Sequence, residues 1–81
     1  MEKRSTFIIF QDFDHSYRWT LRSGEGATIA SSEIGHREKS GCVQEMAKWS
    51  HQRPDVLVRD ATVWMQAKLP FSQWVTSQSA H

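Results

Sequence analysis

The stretch that decides the fold is Tyr17-Arg18-Trp19-Thr20-Leu21-Arg22, in which apolar and polar side chains alternate. Alternation with a period of two over six residues predicts a β-strand with one buried face. Tyr17, Trp19 and Leu21 point to that buried face. The other face carries Arg18, Thr20 and Arg22.

Strands are predicted on both sides of this stretch. Residues 6–11 are rich in β-branched and aromatic side chains, and residues 27–31 form a shorter run of the same kind. The connections at 12–16 and 23–26 are short, and the second contains two glycines that can adopt positive φ. The three strands therefore predict an antiparallel meander.

The first strand is apolar on both sides. Phe7 and Ile9 lie on one face, and Ile8 and Phe10 lie on the other. A strand covered on one side only would alternate with polar residues. We therefore expect the second face to be covered by the C-terminal tail or by another subunit.

One helix and a fourth strand follow. Cys42, Met46 and Trp49 have the spacing of one helical face, which predicts a helix over residues 38–52. Pro54 disfavours helical geometry at the residue before it and ends the helix. Residues 56–60 read as a strand, so the predicted fold class is α+β with one helix on a face of the sheet.

The chain changes character after Thr62. Residues 63–69 fit neither strand nor helix well, residues 70–75 predict a short helical turn starting at Pro70, and residues 76–81 are expected to fray. The extension contains three large aromatic side chains, and exposing them to water is unfavourable. We expect them to pack on the domain or on a protein partner: Trp64, Phe71 and Trp74.

Length and composition exclude several classes of protein. Eighty-one residues allow one domain, and a chain of this size buries only about 60–65% of its unfolded surface. Ten basic and nine acidic residues give no field that would indicate nucleic-acid binding. The single cysteine forms no intrachain disulfide, and no apolar run is long enough for a signal peptide or a membrane span. These features predict a cytoplasmic protein.

No catalytic or metal-binding constellation is evident. The four histidines lack the spacing of zinc ligands, and no glycine-rich cofactor motif occurs, so we expect no metal and no cofactor. Cys42 lies on the apolar helical face, which favours a buried thiol over a nucleophile. Asp12 and Asp14 could form an acid–base pair, but aspartate is also a common turn residue.

Two polar clusters are the candidate binding residues. Arg18 and Arg22, on the polar face of one strand, could bind an anionic ligand or nucleic acid. Alternatively they form a solvated face, or an edge that charge protects from aggregation. The cluster Ser31-Ser32-Glu33 could shape a small site, or could satisfy backbone groups of the connector.

A set of short motifs occurs in order along residues 7–62. They are Phe7-x-Ile9-Phe10-x-Asp12, Tyr17-Arg18-Trp19-x-Leu21, Gly26-x-x-Ile29-Ala30-Ser31-Ser32-Glu33, Gly35, Lys39-x-x-Cys42, Pro54-Asp55 and Val58-x-Asp60. This pattern resembles one repeat of the YegP-like family of small, mostly bacterial domains of unknown function. The resemblance implies a β-β-β-α-β domain over residues 1–62, with residues 63–81 as an extension outside it.

The resemblance also implies an assembly. In that family two such units build one sheet and exchange their C-terminal strands, so a chain with one unit is expected to form a homodimer through Val56, Leu57 and Val58. His15 stands where the family often has a turn glycine, and Arg37-Glu38 replaces two serines, which weakens the expected helix cap. The family supplies no catalytic residues. The leading hypothesis is therefore a non-enzymatic interaction module, with anion or nucleic-acid binding at Arg18 and Arg22 and an enzyme near Cys42 as alternatives.

Overall fold

Three strands form the first half of the chain. The computed structural model describes residues 4–53, 55–63 and 68–79. It contains β1 (Thr6–Gln11), β2 (Tyr17–Arg22) and β3 (Thr28–Ser31), which pair as the antiparallel meander that the sequence predicts. The third strand begins one residue later than expected.

The second half adds α1 (Lys39–Ser50), β4 (Leu57–Asp60), β5 (Leu69–Pro70) and α2 (Phe71–Ser79). The strands form one sheet in the order β3-β2-β1-β4-β5, with β4 parallel to β1 and the other pairs antiparallel. Parallel pairing needs a crossover connection, and α1 provides it. A mixed sheet with two helices confirms the predicted α+β class.

The strand β2 lies inside the sheet, between β1 and β3. The suggestion that Arg18 and Arg22 protect a sheet edge is therefore wrong, because the edge strands are β3 and β5. Both arginines lie on an internal strand of the sheet, so their side chains project from a face of the sheet.

Both helices pack on the same face of the sheet. Phe7 of β1 contacts Trp19 of β2 at 5.6 Å between ring centroids and Phe71 of α2 at 6.0 Å, while Trp19 contacts Trp49 of α1 at 6.0 Å. Burying each large side chain contributes about 1.5–3 kcal/mol to stability. The fully buried members of this core are Phe7, Ile9, Trp19, Leu21, Cys42, Met46, Val56, Val58 and Trp74.

The opposite side of the sheet is covered by neither helix, and we call it the helix-free face. It carries Ile8 and Phe10, both partly buried. Of the described tail, α2 packs on the other face and Lys68 lines a pocket together with Ile8, and cover of this face by another subunit stays a prediction. Phe71 packs against Phe7, because Trp74 binds Asp60 on the covered side.

The helix α1 is shorter than predicted at both ends, spanning 39–50 against 38–52. Its N-cap is Glu38, whose side chain makes no capping hydrogen bond, and this confirms the weak cap expected from the sequence. The fourth strand starts at Leu57, one residue later than predicted. The amide of Val56 donates instead to the carbonyl of Arg53 at 3.0 Å and closes a turn.

The tail forms more structure than the sequence suggests. Pro70 belongs to β5, and the helical turn expected over 70–75 is a nine-residue helix that continues to Ser79, through four of the residues expected to fray. The amide of Phe71 donates to the carbonyl of Val56 at 3.0 Å, which fixes the start of α2 against β4. Trp64 and residues 80–81 lie outside the described residues. Within the described part, no helix is long and apolar enough to cross a membrane.

Candidate functional site: the helix-free face

The register of the sheet decides which side chains share the helix-free face. Arg22 pairs with Thr6, Arg59 pairs with Ile8, and Arg18 pairs with Phe10. Residues directly opposite in adjacent strands point to the same side of a sheet. All three arginines of the strands therefore project from the face that the helices leave open.

The acidic side chain of the strands lies on the other face of the sheet. Asp60 is the one carboxylate among the residues of the five strands, all of which are described, and it lies on the covered face opposite Ile9. The helix-free face is thus basic although the chain as a whole carries a net charge of only +1. The total charge, from which the sequence analysis argued against nucleic-acid binding, does not reveal this separation of basic and acidic strand residues.

Three cations of this face meet in one pocket. Arg22, Arg59 and Lys68 line it together with Thr6, Ile8 and the turn 23–26, and its volume is about 230 Å³. We call it the basic pocket. Neither Arg22 nor Lys68 forms an ion pair within the described part of the chain. Like charges repel, so this arrangement favours an incoming anion.

The turn at the edge of the basic pocket is built by two residues. Gly26 adopts a φ of +93°, a conformation that side-chain-bearing residues rarely tolerate. The hydroxyl of Ser23 accepts hydrogen bonds from the amides of Glu25 at 3.3 Å and Ala27 at 3.2 Å. These contacts hold the turn beside Arg22, so one wall of the basic pocket is formed by residues that adjoin Arg22 in the sequence.

At the other end of the helix-free face, an acidic side chain neutralises the positive charge of Arg18. The guanidinium of Arg18 donates from Nε to a carboxylate oxygen of Asp12. Hydrogen bonding with Asp14 and then with Arg18 lowers the pKa of Asp12 to about 2, against an opposing effect of burial. Asp12 and Asp14 also accept from the amides of Asp14 and Ser16, each at 3.0 Å, so the turn interpretation of these carboxylates is confirmed.

Arg18 and Arg22 are therefore not equivalent. The sequence places them correctly on one face of β2, but the structure pairs Arg18 with Asp12 and brings Arg22 to Arg59 and Lys68. Arg59 and Lys68 were missed by the sequence analysis. The alternation in Val58-Arg59-Asp60 could have indicated Arg59, whereas Lys68 reaches the pocket through the unexpected strand β5.

The second predicted cluster lies elsewhere. Ser31 and Glu33 line a groove of about 340 Å³ between β3 and α1, which also includes Glu45 and Trp49. The hydroxyl of Ser32 accepts from the amide of Trp19 at 3.2 Å, which is the backbone role that the sequence analysis gave as the alternative. Glu33 therefore lies on a different surface from Arg22, whereas Ser31 pairs with Thr20 of the helix-free face at the β3 edge of the sheet.

The carboxylate of this groove is already engaged. Oε1 of Glu45 accepts from the indole Nε1 of Trp19 at 2.6 Å and lies 3.4 Å from Nε2 of His36. This contact ties α1 to β2 and to the connector before the helix. The contacts with Trp19 and His36 therefore indicate a structural role for Glu45.

A buried carboxylate, that of Asp60, joins three elements. Oδ2 of Asp60 accepts from Nζ of Lys39 at 2.7 Å and from the indole of Trp74 at 3.1 Å, while Oδ1 accepts from the amide and hydroxyl of Thr62 at 2.9 and 2.5 Å. Burial alone would raise the pKa of Asp60, but the hydrogen bonds from Lys39 and Thr62 outweigh it and the pKa is lowered. This Asp60 cluster holds α1, β4 and α2 together.

Cys42 lies beneath this cluster and is fully buried. Burial, followed by the charges of Glu45 and Asp60, raises the pKa of its thiol to about 12. A thiol in this environment is poorly suited to act as a nucleophile at neutral pH. Among the described residues, no three histidine, cysteine, aspartate or glutamate side chains are grouped closely enough to hold a metal ion.

The residues expected at a dimer interface are buried within the single chain. Val56 and Val58 are 1% exposed and Leu57 is 8% exposed, and β4 pairs with β1 of the same chain. Comparisons of the chain with protein-family models, with curated proteins and with solved structures found no match. The YegP-like resemblance and the exchange of β4 therefore stay predictions.

Proposed function

We propose that this chain is a non-catalytic binding module whose helix-free face takes an anionic group in the basic pocket. One observation carries the proposal: the register directs every arginine of the strands to the open face and the one strand carboxylate, Asp60, to the covered face. Arg22, Arg59 and Lys68 then converge on one cavity. A ligand that neutralises Arg22 and Lys68 relieves the repulsion between these two charges.

Contact with a protein through the aromatic extension is less well supported. Trp74 is 2% exposed and donates to Asp60, and Phe71 packs against Phe7. A partner that used these two rings would have to remove them from the core. Trp64 lies outside the described residues, so a contact through that ring stays a prediction.

A catalytic role near Cys42 has little support. The thiol is fully buried, and its raised pKa keeps it protonated at neutral pH. We therefore retain the non-enzymatic alternative. A cytoplasmic location is part of the same proposal and is supported by the reduced, buried cysteine.

We also propose that two chains assemble by exchanging β4. A connection leads from α1 to β4, and of the described residues after it β5 pairs with β4 and α2 begins at a hydrogen bond to Val56. This unit could occupy the same position on a second copy without a change in its contacts. In such a dimer Arg22 would come from one chain, and Arg59 and Lys68 from the other.

Calorimetric titration with sulfate at low ionic strength tests the anion site. We expect saturable binding to the wild type and a loss of about tenfold or more in affinity for Arg22→Gln and for Lys68→Gln, since hydrogen bonds to charged groups contribute about 1.5–3 kcal/mol. Arg37→Gln is the matched control, because it removes the same charge from an exposed residue outside the pocket. An equal loss in the control would contradict a localised site.

Light scattering tests the assembly. The exchanged dimer should have about twice the chain mass of 9.4 kDa at micromolar concentration. A monomeric mass would remove the dimer proposal and leave the anion site intact, because all residues of the basic pocket are present in one chain.

A further inference from the structure

We propose that the basic pocket is specific for the dianionic head of a phosphate monoester and does not bind the phosphodiester backbone of a nucleic acid. This inference rests on the proposed anion-binding function. It follows from three features of the helix-free face: the number of cations in the pocket, the charge beyond the pocket, and the apolar residues beside it.

The first feature is the convergence of three cationic side chains, Arg22, Arg59 and Lys68, on one small cavity. A phosphate monoester carries a charge of about −1.5 to −2 at pH 7 and offers three strong acceptor oxygens. A phosphodiester carries one negative charge and has two non-bridging oxygens. Arg22 and Lys68, neither of which forms an ion pair within the described residues, therefore carry the two positive charges that the dianionic monoester requires.

The second feature is the charge along β2, away from the basic pocket. Among the described strand residues, the next basic side chain of this face is Arg18, four residues from Arg22 on β2, and it is paired with Asp12. The same turn adds Asp14. Non-specific binding of a nucleic-acid strand relies on a positively charged groove that follows the backbone, and here a second phosphate would approach carboxylates.

The third feature is an apolar strip that begins at the pocket. Ile8 lines the pocket, and Phe10 follows it on the same face of β1. Both side chains are partly buried and are covered by neither helix. An organic group attached to the phosphate can lie along them, so a monoester with a hydrophobic body should bind more tightly than inorganic phosphate.

The test compares small ligands by calorimetry at low ionic strength. At pH 7.5 we expect phenyl phosphate to bind about fivefold or more tightly than dimethyl phosphate, and also more tightly than inorganic phosphate, because charge and apolar contact both contribute. Lys68→Gln should lose affinity for phenyl phosphate by about tenfold, and Arg37→Gln should retain it.

The pH dependence adds a readout with an internal control. The second proton of a phosphate monoester binds with a pKa of about 6, so the affinity for phenyl phosphate should fall several-fold between pH 7.5 and pH 5. Sulfate remains a dianion over this range and should bind equally at both values. The charged groups beside the ligand are Arg22, Arg59, Lys68 and, in the adjacent turn, Glu25.

Two oligonucleotides of one sequence distinguish the sources of the phosphate. Binding only when the strand carries a 5′-terminal phosphate would support the monoester site. Equal binding with and without the terminal phosphate, or dimethyl phosphate matching phenyl phosphate, would overturn this inference while anion binding itself stood. Failure of every anion to bind would instead overturn the proposed function.

Discussion

The substitution Asp60→Asn should destabilise the fold more than its small change in size suggests. The carboxylate of Asp60 is 5% exposed and accepts four hydrogen bonds, two at each oxygen. An amide has only one oxygen, so its NH₂ group must face either the donors of Thr62 or those of Lys39 and Trp74. In one orientation Lys39 and Trp74 both lose their acceptor. In the other the amide of Thr62 loses its acceptor, while the hydroxyl of Thr62 can accept from the NH₂ group.

The magnitude follows from this count. A buried donor left without an acceptor costs about 1–3 kcal/mol, and Lys39 recovers part of that cost because its side chain is 22% exposed. The orientation that leaves only the amide of Thr62 without an acceptor is the less costly one, so we expect a loss of about 1–3 kcal/mol at pH 7. A domain of this length has a free energy of unfolding of about 4–12 kcal/mol, so the loss is a large fraction of the total.

The effect should depend on pH in a definite direction. The pKa of Asp60 is lowered in the folded protein, so its charge stabilises the fold above the ordinary aspartate pKa of about 3.9. That contribution is lost as the pH falls through the folded value. The difference between wild type and variant should therefore shrink between pH 5 and pH 2.

Urea unfolding followed by tryptophan fluorescence at pH 7 and pH 3 measures both parts of this prediction. Asp55→Asn is the matched control, because Asp55 is an exposed aspartate in the turn before β4. Equal stability of wild type and Asp60→Asn at pH 7 would refute the reasoning about acceptors. A difference that stayed constant down to pH 3 would refute the electrostatic part.

Three further predictions concern the tail, the thiol and the first turn. Trp74→Ala should lower the free energy of unfolding in urea by about 3–5 kcal/mol, because Trp74 is 2% exposed. The control Gln73→Ala, at an exposed position, should change it by about 0.5 kcal/mol or less. Equal effects of the two substitutions would show that α2 does not stabilise the fold. Cys42 should react with iodoacetamide at pH 8 at least about tenfold faster in urea than in the native protein, and a fast native reaction would contradict its burial and raised pKa. His15→Gly should raise the free energy of unfolding by about 0.5–1 kcal/mol, since His15 has a φ of +68°, and a lower urea midpoint would contradict this source of strain.

The local pattern of the sequence was sufficient for the meander and for α1. Tyr17, Trp19 and Leu21 lie on the covered face as their alternation predicts, and Cys42 and Met46 are buried as their helical spacing predicts. Each of these elements depends on residues that are close in sequence and on a single hydrophobic period, that of a strand or that of a helix. Pattern analysis identifies them because the burial of one face imposes that period.

The parts that pattern analysis missed depend on contacts between distant segments. The two residues of β5 carry no period of their own, and they form a strand because they pair with Leu57 and Val58. The helix α2 extends to Ser79 although its sequence lacks charged residues at either end, and Trp74 anchors it to Asp60. The basic pocket was missed for the same reason, since Arg22, Arg59 and Lys68 are brought together only by the sheet.

The central claim is that the working surface of this chain is the basic pocket of the helix-free face. Amide chemical-shift mapping during a sulfate titration tests it most directly. We predict saturable shifts at the turn 23–26 and around Thr6, Ile8 and Arg59, with little change along α1. Saturable shifts confined to α1 and the groove at Glu33, or no saturable shifts at any amide, would contradict it.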